Sequence, residues 1–430
     1  MTEGVAAAIC GGAGRWHTAG MLRPSLAVLA VPVALGLAVA PASRAHACGG
    51  MVLPDHGDRV GGMREQEVLV VFEPDRTVLL ASAGYKGAGD GAAFLLPVRQ
   101  NPTEVHEASL DVFLALDELT APEVTVHVDD GSGEQRTLCG GGAKSGDAND
   151  SAGGDFGGEG GDDVMVLQRG TTASYAYEVV GGDTGTGVVA WLEQAGYSLP
   201  DDYAAAIEPY VADGYYFLAA KIKPGVADGA LPPLEVHLPA SEVEAFSIPF
   251  GLAAESLPPG EALNITVYLA AMGGVLPLTD PAARIDSNAL VAYSPEATNY
   301  QDLYEEATAD GGWVIDYSEG DFSSSRLVDG LSLAYEAGRA PTNETESVQG
   351  FIDRVPFPSL RLTRLRTTRS AQQLSDLALR KVTGEDVSRF FDATFNDQMT
   401  VCAMTRGSGA LNVLLFPLLL VLRRRRTRAA

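Results

Sequence analysis

Two apolar segments, one near each end of this 430-residue chain, limit the part that can fold into a soluble body. The first runs from about Ser25 to Ala40, and the second runs from Leu411 to Leu422. A helix that spans a bilayer needs about 20 apolar residues, so both segments are too short for a stable span. The sequence therefore predicts a soluble body between two segments that serve in targeting.

The N-terminal segment has the features of a secretory signal peptide. Arg23 precedes the apolar run, and Ala45 and Ala47 form the small-x-small pattern that signal peptidase accepts. We expect the export machinery to recognise residues 1–47 and signal peptidase to remove them, with Met21 as a candidate translation start. The alternative is a retained N-terminal anchor.

The C-terminal tail joins a small-residue linker, an apolar stretch and a cluster of arginines. Because the arginines follow the apolar stretch directly, the positive-inside rule places that end in the cytoplasm and the body outside. This layout resembles the bacterial sorting signals of the GlyGly-CTERM and MYXO-CTERM classes, which a membrane protease cleaves. The resemblance implies that residues 401–430 attach the protein to the membrane or cell surface, at least transiently; a permanent transmembrane helix is the alternative. The candidate sorting or anchoring residues are Cys402, Gly407, Gly409, Arg423, Arg424, Arg425 and Arg426.

The predicted exported body is strongly acidic. The whole chain has 56 Asp and Glu against 30 Lys and Arg, which gives a formal charge of -26. Removing both ends takes away eight arginines and one acid, and leaves a charge of about -33. Such a body repels phosphate backbones, so the sequence argues against a nucleic-acid partner.

Three cysteines remain once the signal peptide is removed. In an oxidising compartment Cys48 and Cys139 are candidates for a disulfide, which would close a loop of about 92 residues. Cys402 lies beside the predicted anchor, where modification or intermolecular pairing is expected. An acylated Cys48 is the alternative, and it would leave Cys139 to pair with Cys402 or to remain free.

The body alternates short strands with a few helices, which favours an α+β fold made mainly of antiparallel sheet with a few short packed helices. Residues 66–72 and 77–82 predict a β-hairpin, because two Val- and Leu-rich runs flank a turn-forming cluster. Apolar residues at helical spacing from Val105 to Leu119 predict a helix of about fifteen residues.

A glycine- and acid-rich insertion, residues 140–163, divides the body into residues 48–139 and 164–400. With one aromatic and six acids in 24 residues, it cannot bury enough apolar surface to order itself. Its acids offer hard oxygen ligands, which makes Ca²⁺ the one candidate cofactor, although their spacing matches no EF-hand loop or glycine-rich repeat. They are Asp147, Asp150, Asp155, Glu159, Asp162 and Asp163.

Short motifs spread along the body resemble a bacterial protein family. The motifs are CGG at 48–50, FLLPV at 94–98, WL at 191–192, GYSLP at 196–200, GYYFLAAKIKPG at 214–225 and LTRLRTT at 362–368. In order and spacing they are similar to the family DUF2330, whose members are typically exported and carry no assigned activity. The resemblance therefore implies export, but it supplies no catalytic or cofactor-binding residue. Residues 375–378 depart from the Asp-Pro segment that the family tends to have there.

No short catalytic motif is present in the sequence. A zinc hydrolase needs two histidines at i and i+4 with a nearby Glu, and a serine hydrolase often has a Gly-x-Ser-x-Gly turn; neither pattern occurs. His56, His106, His127 and His237 are scattered, so we expect each to be a surface or core residue.

The arginines of the LTRLRTT motif are the remaining candidates for a binding role. We expect Arg364 and Arg366 to lie on an edge strand with exposed charges. There they would be either internal salt-bridge partners, the favoured interpretation, or a docking point for a carboxylate.

Taken together, the end signals and the missing catalytic motifs predict an exported cell-envelope protein with a binding or structural role. Its expected partners are the export machinery, signal peptidase, a C-terminal sorting protease and the membrane. An extracellular hydrolase that uses carboxylates is one alternative, because paired Asp and Glu leave no short motif. Calcium-dependent adhesion is another.

Overall fold

Strands form most of the regular structure in the computed structural model, which describes residues 50–54, 62–86, 91–129, 164–226, 231–339 and 347–396. The strands are β1 Gly50–Pro54, β2 Gly62–Phe72, β3 Arg76–Lys86, β4 Ala93–Val98, β5 Glu104–Glu107, β6 Glu123–Asp129, β7 Val164–Thr171, β8 Tyr175–Gly182, β9 Tyr197–Ser198, β10 Tyr216–Ile222, β11 Leu234–Pro239, β12 Ser247–Ile248, β13 Ala262–Ala271, β14 Gly274–Pro277, β15 Ala282–Ala283, β16 Ala292–Ser294, β17 Ala297–Thr298, β18 Trp313–Phe322, β19 Leu360–Ser370, β20 Leu377–Val382 and β21 Phe390–Asn396. The α-helices are α1 Asp111–Thr120, α2 Gly185–Gln194, α3 Tyr203–Ala212, α4 Tyr300–Thr308, α5 Ser324–Glu336 and α6 Val348–Arg354.

Two large sheets organise the body. One has six strands in the order β9-β1-β4-β10-β8-β7, and the other has eight in the order β15-β18-β19-β13-β2-β3-β11-β5. The pairs are antiparallel except for β13 with β2 and β15 with β18 in the larger sheet. The predicted α+β class with mainly antiparallel sheet is confirmed.

The inner faces of the two sheets share one hydrophobic core. Val70, Leu79 and Val267 of the eight-stranded sheet belong to the same buried cluster as Phe94 and Leu218 of the six-stranded sheet. Strand β4 is buried at every position, because both faces of its sheet are covered. This explains its continuous apolar sequence, which lacks the alternation of a half-exposed strand.

Helices cover the outer face of each sheet, so the body has four layers. Helices α2 and α3 cover the six-stranded sheet, where Trp191 and Tyr210 pack with Phe217. Helices α1, α5 and α6 cover part of the eight-stranded sheet, with Leu116 and Phe351 among the buried contacts.

The predicted hairpin is confirmed and is longer than expected. Strands β2 and β3 pair antiparallel from Gly62↔Lys86 to Phe72↔Thr77. The Glu73 backbone N–H donates to the Arg76 carbonyl at 3.0 Å and closes the turn between them.

The helix predicted from Val105 begins later, at Asp111, so that part of the prediction is wrong. Val105 lies in β5, which pairs with β11 through Val236. The Ser109 hydroxyl accepts a hydrogen bond from the Asp111 N–H at 3.1 Å, at the point where the helix starts. A strand partner distant in sequence therefore decides the conformation of residues that have helical spacing.

Helices α1 and α5 approach closely at Gly330. A Cβ atom at this position would lie 2.5 Å from the Ala115 carbonyl and would also collide with Leu119. We expect Gly330→Ala to lower the free energy of unfolding by about 1–3 kcal/mol, because the overpacked helices must separate. Urea denaturation measures this change. Ser332→Ala, at an exposed position of the same helix, is the control and is expected to change stability by less than about 0.5 kcal/mol.

Within the described ranges, no helix has the length and apolar character needed to cross a membrane. The apolar helix predicted at residues 411–422 lies outside those ranges.

Candidate functional site

The residues that the sequence predicts for export, disulfide formation and sorting lie outside the described residues, and so do the acids of residues 140–163. The predictions for these positions stay predictions. They concern Ala45, Ala47, Cys48, Cys139, Cys402, Gly407, Gly409, Arg423, Arg424, Arg425 and Arg426.

A group of polar side chains lies instead on the outer face of the eight-stranded sheet. Its members come from four neighbouring strands, β18, β19, β13 and β2, and from helix α1. We call this group the arginine cluster, and its members are Glu67, Asp117, Tyr268, Asp316, Arg364 and Arg366.

Strand β19, which carries both arginines, is an interior strand. It pairs with β13 on one side and with β18 on the other, so the expectation of an edge strand is wrong. Because side chains alternate along a strand, Leu365 enters the inner core while Arg364 and Arg366 lie on the outer face. Arg364 is 5 % exposed and ion-paired, which confirms the favoured internal salt bridge and contradicts the expectation of exposed charges there.

A β-bulge in β18 places Asp316 on the same face. The register with β19 shifts between Ile315 and Tyr317. Ile315 lies in the inner core and Tyr317 in the outer one, so Asp316 and Tyr317 both lie on the outer face. A bulge adds one residue to a strand and changes which side chains share a face. Asp316 thereby reaches the arginines of β19.

Two carboxylates balance the two arginines. Arg366 donates from Nε and Nη2 to the two oxygens of Asp316, at 2.7 and 3.1 Å. Arg364 donates from Nη2 to Asp117 Oδ1 at 2.8 Å, and its Nε lies 3.5 Å from Asp316 Oδ2. Asp117 also accepts a hydrogen bond from Arg339 at 3.0 Å. Four of the six cluster members are therefore ion-paired.

The arginine cluster has hydrogen-bonding capacity that the described residues leave unused. Nε and Nη1 of Arg364 have no hydrogen-bond partner there, and neither does the Tyr268 hydroxyl. Both side chains are buried, and the guanidinium carbon of Arg364 lies 5.7 Å from the centre of the Tyr268 ring. Buried donors in native proteins nearly always have an acceptor. The unpaired donors of Arg364 and Tyr268 therefore mark the arginine cluster as a candidate binding site.

Glu67 adds a group that is uncharged at neutral pH. Burial, with the negative charges of Glu65 and Asp117, raises the pKa of Glu67 to about 8, against the opposing effect of Arg364. The Glu67 carboxyl therefore holds a proton at pH 7 and is a further hydrogen-bond donor.

A second polar group surrounds Glu235, which is fully buried. Arg354 donates to both Glu235 oxygens, at 2.7–3.2 Å, and His237 donates from Nε2 at 2.7 Å. The rings of His106 and His237 lie 5.4 Å apart, although the sequence had suggested scattered histidines. No signal in the sequence brings them together; the pairing of β5 with β11 does.

Across the described residues, no group of three or more His, Cys, Asp or Glu could hold a metal ion.

A cavity of about 400 Å³ lies beside β1 and α3. Tyr203 lines it, and its buried hydroxyl has no hydrogen-bond partner among the described residues. Burial, with the charge of Glu255, raises the pKa of Tyr203, so this hydroxyl stays protonated. The other lining residues are Met51, Val52, Ser198, Leu199, Pro200, Glu255, Ser256, Leu257 and Pro258.

Asp376, which lies between strands β19 and β20, makes the stability of the fold depend on pH. Its Oδ1 accepts hydrogen bonds from the Tyr210 hydroxyl at 2.8 Å and the Gly251 N–H at 3.2 Å. Burial raises the pKa of Asp376 from 3.8 to about 7 despite these bonds. The folded protein therefore binds this proton more tightly than the unfolded chain, so its stabilising contribution is lost as the pH rises from about 4 to 7.

We expect Asp376→Asn to remove this loss, since asparagine resembles the protonated acid and keeps the acceptor oxygen. The variant should exceed the wild type in stability by up to about 4 kcal/mol at about pH 8, with the difference shrinking toward about pH 4. Urea denaturation across this pH range measures it. Asp310→Asn, at an exposed carboxyl, is the control. A difference between Asp376→Asn and the wild type that is the same at every pH would contradict the prediction.

Two solved structures show a distant likeness to this chain. The crystal structure of the caspase-8/P35 complex is 8 % identical, with a TM-score of 0.31, and the match covers 74 % of this chain and 97 % of that chain. The crystal structure of baculovirus P35 is 9 % identical, with a TM-score of 0.29, and the match covers 76 % of this chain and 97 % of that chain. These TM-scores are too low to indicate a shared fold. No curated protein matches the chain.

A family model gives the informative match. It describes an uncharacterized protein conserved in bacteria (DUF2330), and it matches residues 41–269, which are more than half of the chain. The matched region contains Glu67, Asp117 and Tyr268 of the arginine cluster and ends before strand β19. The chain belongs to the DUF2330 family.

Proposed function

We propose that this protein is exported, is attached to the cell envelope or outer surface through its C-terminus, and binds a ligand there rather than catalysing a reaction. The signal-like and sorting-like ends support export and attachment. The observation that carries the binding role is that no described residue accepts a hydrogen bond from Nε or Nη1 of Arg364 or from the Tyr268 hydroxyl in the arginine cluster.

The ion pairing within the cluster favours binding over catalysis. Asp117 and Asp316 both accept hydrogen bonds from arginines, so their oxygens are occupied. The cluster contains no serine, cysteine or histidine that an adjacent base could activate as a nucleophile. What it offers a ligand is a set of fixed donors.

Cell fractionation followed by intact mass measurement of the native protein tests export and attachment. We expect the envelope fraction to contain a chain that begins near Cys48. The variant Ala47→Asp is the control, because a charged residue at the cleavage position should preserve the mass of the uncleaved precursor. Untrimmed protein in the cytosol, with its C-terminal arginines intact, would contradict the proposal.

A hydrolase that uses carboxylates is the second candidate, and Glu67 is the observation that favours it. A carboxyl that keeps its proton at neutral pH, near a second carboxyl such as Asp117, is suited to general acid catalysis. Assays with chromogenic glycosides and esters test this role. Turnover that Glu67→Gln abolishes would support a hydrolase, and the lack of any turnover would argue against it.

Calcium-dependent adhesion would depend on the acids of residues 140–163, which lie outside the described residues. Titration calorimetry of the native protein with calcium chloride tests it, and the lack of any heat of binding would discard it.

A further inference from the structure

We infer that the arginine cluster is a binding site for a small monocarboxylate, whose oxygens accept hydrogen bonds from Arg364 and Tyr268. The inference rests on the proposed binding role and adds to it the class of ligand.

The first argument is the chemistry of the unpaired groups. The free positions on Arg364 are N–H donors, and the Tyr268 hydroxyl stays protonated because burial raises its pKa well above 10. A guanidinium group can only donate, so the missing partner must be an acceptor. An anionic oxygen is the strongest acceptor available, since hydrogen bonds between charged groups are stronger than neutral ones.

The second argument is that the sheet brings these donors to one place. Tyr268 lies directly opposite Arg364 across β13 and β19. Glu67 lies opposite Thr266, two residues from Tyr268, on the other side of β13. Cβ atoms of directly opposite residues lie about 4.5–5.5 Å apart and those of diagonal neighbours about 7–8 Å apart, within reach of long side chains. One small ligand can therefore contact all three groups.

The third argument is charge, which argues against a ligand with more than one negative charge. Arg364 and Arg366 are matched by Asp117 and Asp316, and the third arginine, Arg339, lies 3.6 Å from Glu118. Among the described residues, no surplus of positive charge remains here to stabilise a dianion such as hydrogen phosphate. The net negative charge of the chain repels multiply charged anions further.

Access limits the size of the ligand. Tyr268 and Asp316 are 0 and 1 % exposed. Glu67 and the side chain of Asp117 are partly exposed, so they mark the side from which a ligand would enter. We therefore expect the ligand to be a carboxylate with only a short apolar or hydroxylated tail.

Binding should weaken as Glu67 loses its proton. Glu67 is flanked by Glu65 on its own strand and faces Asp117 from α1, Tyr268 from β13 and Arg364 from β19. Ionised Glu67 would repel a carboxylate ligand and compete with it for Arg364. Affinity should therefore fall above about pH 8.

The experiment is titration calorimetry of the native full chain with sodium acetate at about pH 6.5, with sodium phosphate as a second arm. We expect one acetate per chain with a dissociation constant of roughly 1 mM or tighter. Tyr268→Phe removes only an unpaired hydroxyl, so it should weaken acetate binding about tenfold without lowering the melting temperature. Glu67→Gln should keep acetate binding and lose the fall in affinity at high pH. Tyr210→Phe, whose hydroxyl binds Asp376 instead, is the matched control and should bind acetate normally.

Crystals grown with and without acetate give an independent result. Acetate density at Nη1 of Arg364 would support the inference, whereas ordered water alone at saturating acetate would overturn it. Saturable binding of phosphate without acetate would also overturn the monocarboxylate class. These failures leave the fractionation result unaffected, because export does not depend on the arginine cluster.

Discussion

Replacing Asp316 with asparagine is expected to lower the free energy of unfolding by about 3–5 kcal/mol. The Asp316 carboxylate is 1 % exposed, accepts two hydrogen bonds from Arg366 and one from Tyr300, and lies near Arg364. The asparagine side chain is neutral, and its NH₂ group would face donors. The buried guanidinium of Arg364 and the half-buried one of Arg366 would then share too few acceptors, since Asp117 is the only other carboxylate paired with Arg364 among the described residues.

The matched control for this change is Asp386→Asn. Asp386 also binds an arginine of β19, because Arg361 donates to it at 2.8 Å, but its side chain is 73 % exposed. Water replaces the lost interaction there, so we expect a change of less than about 1 kcal/mol. Urea denaturation of both variants measures the contrast. Equal effects would show that burial of Asp316 does not govern the strength of its ion pairs.

Glu235→Gln is expected to have an effect of similar size, about 3–5 kcal/mol, at the other end of the eight-stranded sheet. Glu235 is fully buried and accepts hydrogen bonds from Arg354 on helix α6 and from His237 on its own strand. Glutamine would turn one acceptor oxygen into a donor facing these donors. Because Arg354 also donates to the Glu107 carbonyl, the packing of α6 against the sheet should loosen as well.

The pH dependence of the Glu235→Gln variant identifies the ionised carboxylate as the cause. Burial by itself raises the pKa of Glu235, but the hydrogen bonds from His237 and Arg354 outweigh it and hold the pKa below 4.5. The wild-type advantage should therefore be complete above about pH 4.5 and shrink as the pH falls through the lowered pKa. Glu242→Gln removes an exposed ion pair with Lys381 and is the control. A wild-type advantage that persists undiminished in strong acid would contradict this explanation.

The sequence predicts local features of this fold well. The β2–β3 hairpin follows from two Val- and Leu-rich runs around a turn. The pattern of apolar residues over a few positions indicates whether a strand is buried on one face or on both. The antiparallel α+β class follows from the same patterns.

The sequence misplaces residues whose conformation depends on a distant partner. Val105 has helical spacing with the residues of α1, yet it forms a strand because β11 offers it hydrogen bonds. In the same way His106 and His237 are 131 positions apart in the sequence and meet only because β5 and β11 pair.

The amino-acid sequence by itself determined the antiparallel α+β class, the confirmed hairpin and the alternation that places Arg364 and Arg366 on one face of a strand. Only the tertiary structure decided that this strand is interior, that a bulge places Asp316 on the same face, and that Tyr268 and Arg364 have donors without a partner among the described residues. The physical reason is that hydrophobic periodicity acts over a few residues. Ion pairs and unsatisfied hydrogen bonds, in contrast, depend on which strands become neighbours. That pairing depends on contacts between residues that are far apart in the chain.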